Sequence, residues 1–399
     1  MRVAVDGRAL RPGAMHRRGV ARYLRCLLEE LGELGPGDQY FVLVAGGLDA
    51  EPFRAPNLTM VRSRLPGRAL FGAATLTGRP RLDRLVGGCD VAWAPALAPL
   101  AVSSGVPLVL TLHDMSFERA TDYGRYERLW HRLARPERLA RRATRVICPS
   151  GPVREAAMQR WNLPAERVRV VLSGAGKPQR AAGEREGEAA ARGADESADD
   201  VPLGPAAASS RVAASGSPGA ARALPAGVVP PYVLAVGALE PRKLPGVLVE
   251  AHGMARSRGL EAGLVFAGDG PLRAAIERSH AIVLGHVPDP VLEELYGGAL
   301  ALACVSRDEG FGFTPVEALT RGTPPVVADL PVFAETLGEG ALRVPPGDVR
   351  ALADALLRLE RDPALRERLV HAGRQAVAHL SWERAARETR AVLAEAAAT

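Results

Sequence analysis

The chain has 399 residues, 47% of them hydrophobic, and a formal net charge of +6. That length predicts two domains with sizeable cores, and the 5% aromatic content predicts cores built from Ala, Leu and Val. No apolar run is long enough to span a membrane, the four cysteines (Cys26, Cys89, Cys148, Cys304) form no Cys-x-x-Cys pair, and the eight histidines show no metal spacing. Disulfide-stapled, zinc-bound and membrane-spanning classes are therefore disfavoured.

Met1-Arg2-Val3-Ala4-Val5-Asp6 runs directly into a strand, which predicts no secretory leader and a cytoplasmic protein with reduced thiols. A loop from Arg8 to Gly19 follows. The next helix places Val20, Tyr23, Leu24, Leu27, Leu28 and Leu31 on one face. Phe41–Val44, Leu108–Leu112, Val146–Cys148 and Val168–Leu172 read as further strands. Strands alternating with helices predict a parallel sheet covered on both faces. Arginine is dense between Arg119 and Arg145. This reads either as a solvated helix surface or as a basic face for anionic lipid or a phosphorylated acceptor. No nucleic-acid recognition motif accompanies it, and aromatics are not interleaved with the basic residues.

From Lys177 to Pro230 the chain turns to Ala, Gly, Ser, Pro, Glu and Arg, which offers no apolar face and predicts a disordered linker. Alternation resumes at Tyr232, with strands at Leu264–Ala267, Ile282–Leu284, Leu300–Val305 and Val326–Ala328. Amphipathic helices are expected over 349–361 and 363–379, and another is capped by Ser381. The expected boundaries are 1–176 for the first domain, 177–230 for the linker and 231–380 for the second domain. Residues 381–399 form a last helix able to return to the first domain. The fold class is α/β, two doubly wound Rossmann-like parallel-sheet domains facing each other across a cleft.

The segment Ser306-Arg-Asp-Glu-Gly-Phe-Gly-Phe-Thr-Pro-Val-Glu carries the most chemistry. Glu309 falls at the carboxyl end of a strand. Pro315 is expected to start a helix with Glu317 in its first turn, and Thr314 to cap it or to bond a diphosphate. Carboxyl ends of strands are where open α/β sheets bind ligands. Gly310 and Gly312 let backbone N–H groups approach a ligand, and a carboxylate accepts paired bonds from vicinal hydroxyls. Arg242 and Lys243, after the strand that ends at Gly237, are adjacent cations suited to a diphosphate. His113 and Asp114 end an apolar strand. His113 reads as a sugar or acceptor contact or as a core histidine bonded to backbone, and Asp114 as an acceptor-side group or a loop cap. The loop before Gly19 lacks Gly-x-Gly-x-x-Gly, which argues against a nicotinamide cofactor. No Asp-x-Asp stands at a strand end, and Asp199-Asp200 lies in the linker, so no metal is expected.

Taken together, the segment resembles the Glu-x7-Glu motif of the retaining GT-B glycosyltransferases, glycosyltransferase family 4 or group 1. Arg18-Gly-Val-Ala-Arg-Tyr, Thr111-Leu-His-Asp, Gly237-Ala-Leu-Glu-Pro-Arg-Lys-Leu, Leu284-Gly-His-Val-Pro-Asp and Ser381-Trp-Glu fit the same family in the same order, with Leu244 where an Asn is usual. The resemblance implies that Glu309 faces the donor sugar, that Glu317 takes the ribose hydroxyls, and that Arg242 and Lys243 stabilise the departing diphosphate. It further implies that Gly310, Phe311, Gly312, Phe313 and Val287 line the donor site. Gly19 would touch the donor phosphate, and Arg17, Arg18 and Arg22 would lie on the acceptor side. The implied activity is transfer of a hexose from a nucleotide diphosphate sugar to a glycan or lipid-linked acceptor in cell-surface polysaccharide or glycolipid assembly. The resemblance leans to mannosyl transfer from GDP-mannose, with UDP donors open. The nucleotide sugar is a co-substrate and no cofactor is implied. An epimerase-like or phosphorylase-like enzyme, or an inactive scaffold on the same fold, are the alternatives.

Overall fold

The computed structural model describes residues 1–10, 19–46, 52–118, 125–176 and 224–399. Two parallel sheets form its frame. The first contains β1 (Arg2–Asp6), β2 (Gln39–Gly46), β3 (Leu58–Pro66), β4 (Val91–Ala94), β5 (Leu108–Thr111), β6 (Arg145–Cys148) and β7 (Val168–Val170), in the order 3-2-1-4-5-6-7. The second contains β8 (Tyr232–Val236), β9 (Gly263–Ala267), β10 (Ile282–Gly285), β11 (Ala301–Cys304), β12 (Pro325–Ala328) and β13 (Leu342–Val344), in the order 10-9-8-11-12-13. Both orders reverse direction once, between β1 and β4 and between β8 and β11. At such a switch point two crossovers leave in opposite directions and open a crevice at the strands' carboxyl ends.

Alternate residues of one strand enter different cores, which is how a doubly wound sheet reads at atomic scale. Val3 and Val5 join Tyr23, Leu24, Leu27, Leu28 and Leu31 of the first helix, Gly19–Leu34. Ala4 joins Leu43, Leu108, Leu110 and Cys148 on the opposite face. Each such leucine, fully buried, contributes roughly 1.5–3 kcal/mol. The second sheet is enclosed in the same way, with Val233 and Phe266 on one face and Leu234, Val265 and Ala267 on the other.

The last helix, Trp382–Ala397, does not stay with the second sheet. Trp382, Ala385, Ala386, Val392, Leu393 and Ala396 pack into the first-domain core against the first helix. Ser381 caps it, its Oγ accepting from the Arg384 N–H at 3.1 Å. Arg390 donates to Asp38 at 2.6 Å, and Arg145 and Arg169 both donate to Glu395, at 2.9 and 2.7 Å.

Residues 177–223, with most of the expected linker, lie outside the described residues. Its final stretch departs from the expectation. Leu224 packs against, and Val228 is buried within, the core around Tyr232 and Tyr296. Composition missed this because two apolar residues in a Pro/Gly/Ala-rich stretch show no period. No helix among the described residues is long and apolar enough to cross a membrane.

Candidate functional site

At the carboxyl ends of β8 and β11, neighbours at the second switch point, the chain makes two loops that face each other. The first passes Gly237, whose φ of +122° needs glycine, and then forms a short 3₁₀ turn, Pro241–Lys243. The turn closes on Leu244 in the left-handed region (φ 50°), a conformation that Asn tolerates and Leu resists. Leu244 holds it because its side chain is buried in the core of the second domain. The second loop carries Ser306 to Gly312. Arg307 N–H donates to the Arg242 carbonyl at 3.0 Å, and Arg242 Nη1 donates to the Asp308 carbonyl at 2.9 Å, so the loops are fastened together.

This fastening brings three expected residues into one cluster. Lys243 Nζ donates to Glu309 Oε1, and Arg242 Nη1 lies 3.9 Å from the same oxygen. Burial opposes the charge on Glu309, yet Lys243 and Arg242 hold its carboxyl below the ordinary range. Arg242 Nη2 also lies 4.0 Å from Glu240 Oε2, so two cations and two carboxylates share this part of the cleft.

Glu317 is placed differently from the sequence expectation. Its helix is Phe313–Thr320, starting two residues before Pro315, so Glu317 stands in the second turn. Pro315 is still tolerated, because the first turn of a helix has no carbonyl to serve. The N-cap is Gly312 (φ +87°) with no side-chain cap bond, so Thr314 is not the cap. Glu317 is 5% exposed. Its Oε2 accepts from the Tyr296 hydroxyl at 3.0 Å and its Oε1 from Arg22 Nη1 at 2.5 Å. Burial raises its pKa, and Arg22 and Tyr296 oppose the shift. Val287 packs against the core that includes Tyr296.

Across the cleft, His113 follows β5. Its Nε2 donates to the Pro95 carbonyl at 2.8 Å, since a carbonyl can only accept. The ring stands edge-on to Tyr23, centroids 4.7 Å apart, and burial lowers its pKa. It is a neutral imidazole with Nδ1 as the acceptor nitrogen. The backbone-bonded reading of His113 is thus what the fold displays, and it leaves one nitrogen able to accept a hydroxyl. Asp114 is a loop cap: its Oδ1 accepts from the Ser116 N–H at 3.0 Å and from the Ser116 hydroxyl at 2.7 Å.

The two halves of the site touch. A Cβ on Gly310 would fall 1.7 Å from the His113 carbonyl oxygen, and Ser150 donates to the Gly310 carbonyl at 2.7 Å. The backbone N–H of Gly151 donates to both oxygens of Glu335, at 3.1 and 2.9 Å. Gly19 lies against Phe313, 3.8 Å from a Cβ that glycine lacks. Phe313 stacks on Trp382 at 6.1 Å, and Trp382 meets Tyr23 edge-on at 6.1 Å. An aromatic ladder therefore runs from the motif helix to the ring beside His113. Arg22, expected on the acceptor side, has its guanidinium against Glu317 instead. Arg17 and Arg18 lie outside the described residues.

Sequence reasoning did not find Tyr296, Ser150, Glu335 or the ladder. The ladder's members Tyr23, Phe313 and Trp382 each carry a local signal, but nothing in the sequence joins them. The others act through contacts between distant segments, which no local spacing records. Among the described residues no group of three or more His, Cys, Asp and Glu side chains is arranged to hold a metal ion.

Comparison with known proteins agrees with this geometry. Residues 17–175 match the family model described as Glycosyltransferase Family 4, and residues 222–376 match the model Glycosyl transferases group 1. The chain is 46% identical over 72 residues to the O-antigen chain mannosyltransferase of Salmonella typhimurium, covering 18% of this chain and 20% of that protein. It is 27% identical over 313 residues to the alpha-D-kanosaminyltransferase of Streptomyces kanamyceticus, covering 74% and 73%. Its match to the O-antigen enzyme and to a mycobacterial phosphatidyl-myo-inositol mannosyltransferase spans about a fifth of their length. Among solved structures, the Anabaena protein HepE in complex with UDP and glucose superposes with a TM-score of 0.63 at 18% identity, over 99% of this chain and 100% of that one.

Proposed function

We propose, from the premise that this chain belongs to the group 1 glycosyltransferases of the GT-B fold, that it moves a hexose from a nucleotide diphosphate sugar to a glycan or lipid-linked acceptor with retained anomeric configuration. The observation that carries the reading is the cluster of Glu309, Lys243 and Arg242 at the second switch point, directly opposite His113. GDP-mannose is the favoured donor, because mannosyltransferases are among the relatives, and UDP-sugars are the second choice.

In this reading the donor's diphosphate lies over Arg242 and Lys243, and its ribose over Glu317. Negative charge accumulates on the diphosphate as the glycosidic bond breaks. Cations already fixed in place stabilise that charge without reorganising. Glu309 bonds a sugar hydroxyl and places negative charge near an anomeric centre that becomes oxocarbenium-like. The backbone of Gly310, Phe311 and Gly312 holds neighbouring hydroxyls, and Gly19 approaches the phosphate from the other domain. Nδ1 of His113 accepts from a sugar hydroxyl. The acceptor proton passes to a donor phosphate oxygen on the face the acceptor enters, so no protein base is needed on the opposite face. Arg242 and Lys243 supply the positive charge, and no metal cofactor is required.

Substrate assembly at a membrane fits one more feature. The helix Arg125–Ala134 leaves Leu129 52% and Leu133 37% exposed beside Arg128 and Arg132, a composition suited to an anionic lipid surface. The whole reading is tested by a thermal-shift and turnover screen of GDP-mannose, UDP-glucose and related donors. A donor that both stabilises the protein and is consumed, with both effects weakened in Glu317→Ala, supports it. Failure of every nucleotide sugar to bind refutes it.

A further inference from the structure

Each carboxylate oxygen of Glu317 already accepts a hydrogen bond. One oxygen is taken by Tyr296 and the other by Arg22, and these two partners differ in kind. Tyr296 is 1% exposed and belongs to the same domain as Glu317, so its bond is independent of domain position. Arg22 comes from the first domain, and its side chain is 28% exposed. The second bond of Arg22 runs to the Gly176 carbonyl at 3.3 Å, and that carbonyl also accepts from Trp382 Nε1 at 2.9 Å. Withdrawal of Arg22 therefore strands no buried acceptor on the first-domain side. It strands only Glu317, a buried carboxylate that must then find new donors.

We propose that Arg22 holds the ribose position of the donor site, so that the ribose hydroxyls of an incoming nucleotide and the Arg22 guanidinium compete for Glu317. The inference rests on the reading of Glu317 as the ribose ligand. Arg22 acts on the donor through Glu317 and is a positioning residue. Its effect is to aim the carboxylate and to subtract from nucleotide affinity part of what the ribose contact adds. Arg22 is also the only side chain of the first domain bonded to Glu317 among the described residues, so each binding event loosens one tie between the domains.

The test is a binding cycle by isothermal titration calorimetry. GDP and UDP, and the 2′,3′-dideoxy form of each, are titrated into the wild-type chain, Arg22→Ala, Arg22→Gln and Glu317→Ala. The dideoxy forms cannot compete for Glu317. Competition predicts that both Arg22 variants bind the ribonucleotide about ten-fold more tightly than wild type, as expected for freeing one charged hydrogen-bond acceptor. They bind the dideoxy form unchanged, so the ribo-to-dideoxy preference rises by the same factor. A merely structural tie predicts instead that both nucleotides weaken together and the preference stays put, and that result overturns the inference. Arg22→Gln keeps the Cβ–Cγ–Cδ stem and its packing, removes the charge, and guards against a misfolded alanine variant. Two outcomes strike the underlying reading first. If the wild type binds neither GDP nor UDP, or if Glu317→Ala leaves the ribo-to-dideoxy preference intact, then Glu317 is not the ribose ligand and the inference falls with it.

Discussion

Gly310→Ala should separate donor binding from turnover. No left-handed φ is recorded at this position, so alanine meets no backbone obstacle there. The obstacle is the other domain. The new methyl would sit 1.7 Å from the His113 carbonyl oxygen, 2.8 Å from its carbon and 3.3 Å from Asp114 Cβ. A close carbon–oxygen contact needs about 3.3 Å, so the two domains must part by about 1.5 Å at this point. The Ser150 bond to the Gly310 carbonyl stretches with them. Neither domain core is altered, and Arg242, Lys243 and Glu317 stay in place, so nucleoside diphosphate affinity should not fall, rising at most about ten-fold if the parting draws Arg22 off Glu317, and Tm should change by only a few degrees. In the proposed reading, turnover needs His113 and Glu309 to act on the same sugar. A displacement above 1 Å between them should reduce it about 10²-fold. The assay is release of nucleoside diphosphate from a consumed donor, alongside calorimetric titration of that nucleotide. A folded variant with turnover within about three-fold of wild type would show that the domains do not meet here in the reacting state.

Arg242→Ala and Lys243→Ala should each lower kcat about 10²-fold, because both cations matter most when charge leaves with the diphosphate; near-native turnover in both would remove that role. Trp382→Ala should cost about 3–5 kcal/mol in urea denaturation, since the indole is 3% exposed, stacks on Phe313 and donates to Gly176, and a loss below about 1 kcal/mol would contradict the packing. His252 is fully buried, its Nε2 donates to the Ala262 carbonyl and its Nδ1 accepts from His280, and burial holds its pKa below the ordinary value. The unfolded chain therefore takes up the proton first, and stability should fall as pH drops below about 6.5 toward the folded pKa. Urea midpoints between pH 5 and 7.5 should show this slope in wild type and lose it in His252→Gln, and equal slopes would refute it. Turnover should survive a chelator, whereas abolition by chelator with rescue by magnesium or manganese would place a metal in the mechanism.

The parts legible in the sequence are those that local pattern controls. The first helix was visible because its apolar residues recur on one face, and the strands at 41–44, 108–112 and 232–236 because each is an uninterrupted apolar run between turns. β3 was not, because Leu58–Pro66 interleaves Arg62 and Arg64 on a sheet edge where one side is wet. β4 is hidden because Val91–Ala94 continues into an Ala/Pro/Leu stretch with no boundary, and β13 because Arg343 breaks its apolar run. Glu309, Arg242 and Lys243 were found, and brought together, because switch-point loops are local. Glu317 lies two residues deeper in its helix than Pro315 predicts, because the helix starts at Phe313. The partners that define its chemistry, Arg22 and Tyr296, lie far from it in sequence, 295 and 21 residues away.

The return of Trp382–Ala397 to the first domain has a consequence for how the chain is made. A ribosome delivers β1 to β7 early, yet the face of that sheet that covers Val3 and Val5 is finished only by residues made after the whole second sheet. At about 5–20 residues per second, the second domain has time to fold while the first still waits with an apolar surface open to water. Synthesis thus runs in the opposite order to completion, and the first domain out of the tunnel is the last to close. Stalling, frameshift or proteolysis anywhere before Trp382 yields a polypeptide with an unsealed Rossmann half, which quality control can recognise by its exposed leucines and valines. The helix that follows the second sheet thereby ties completion of the first domain to synthesis of the second.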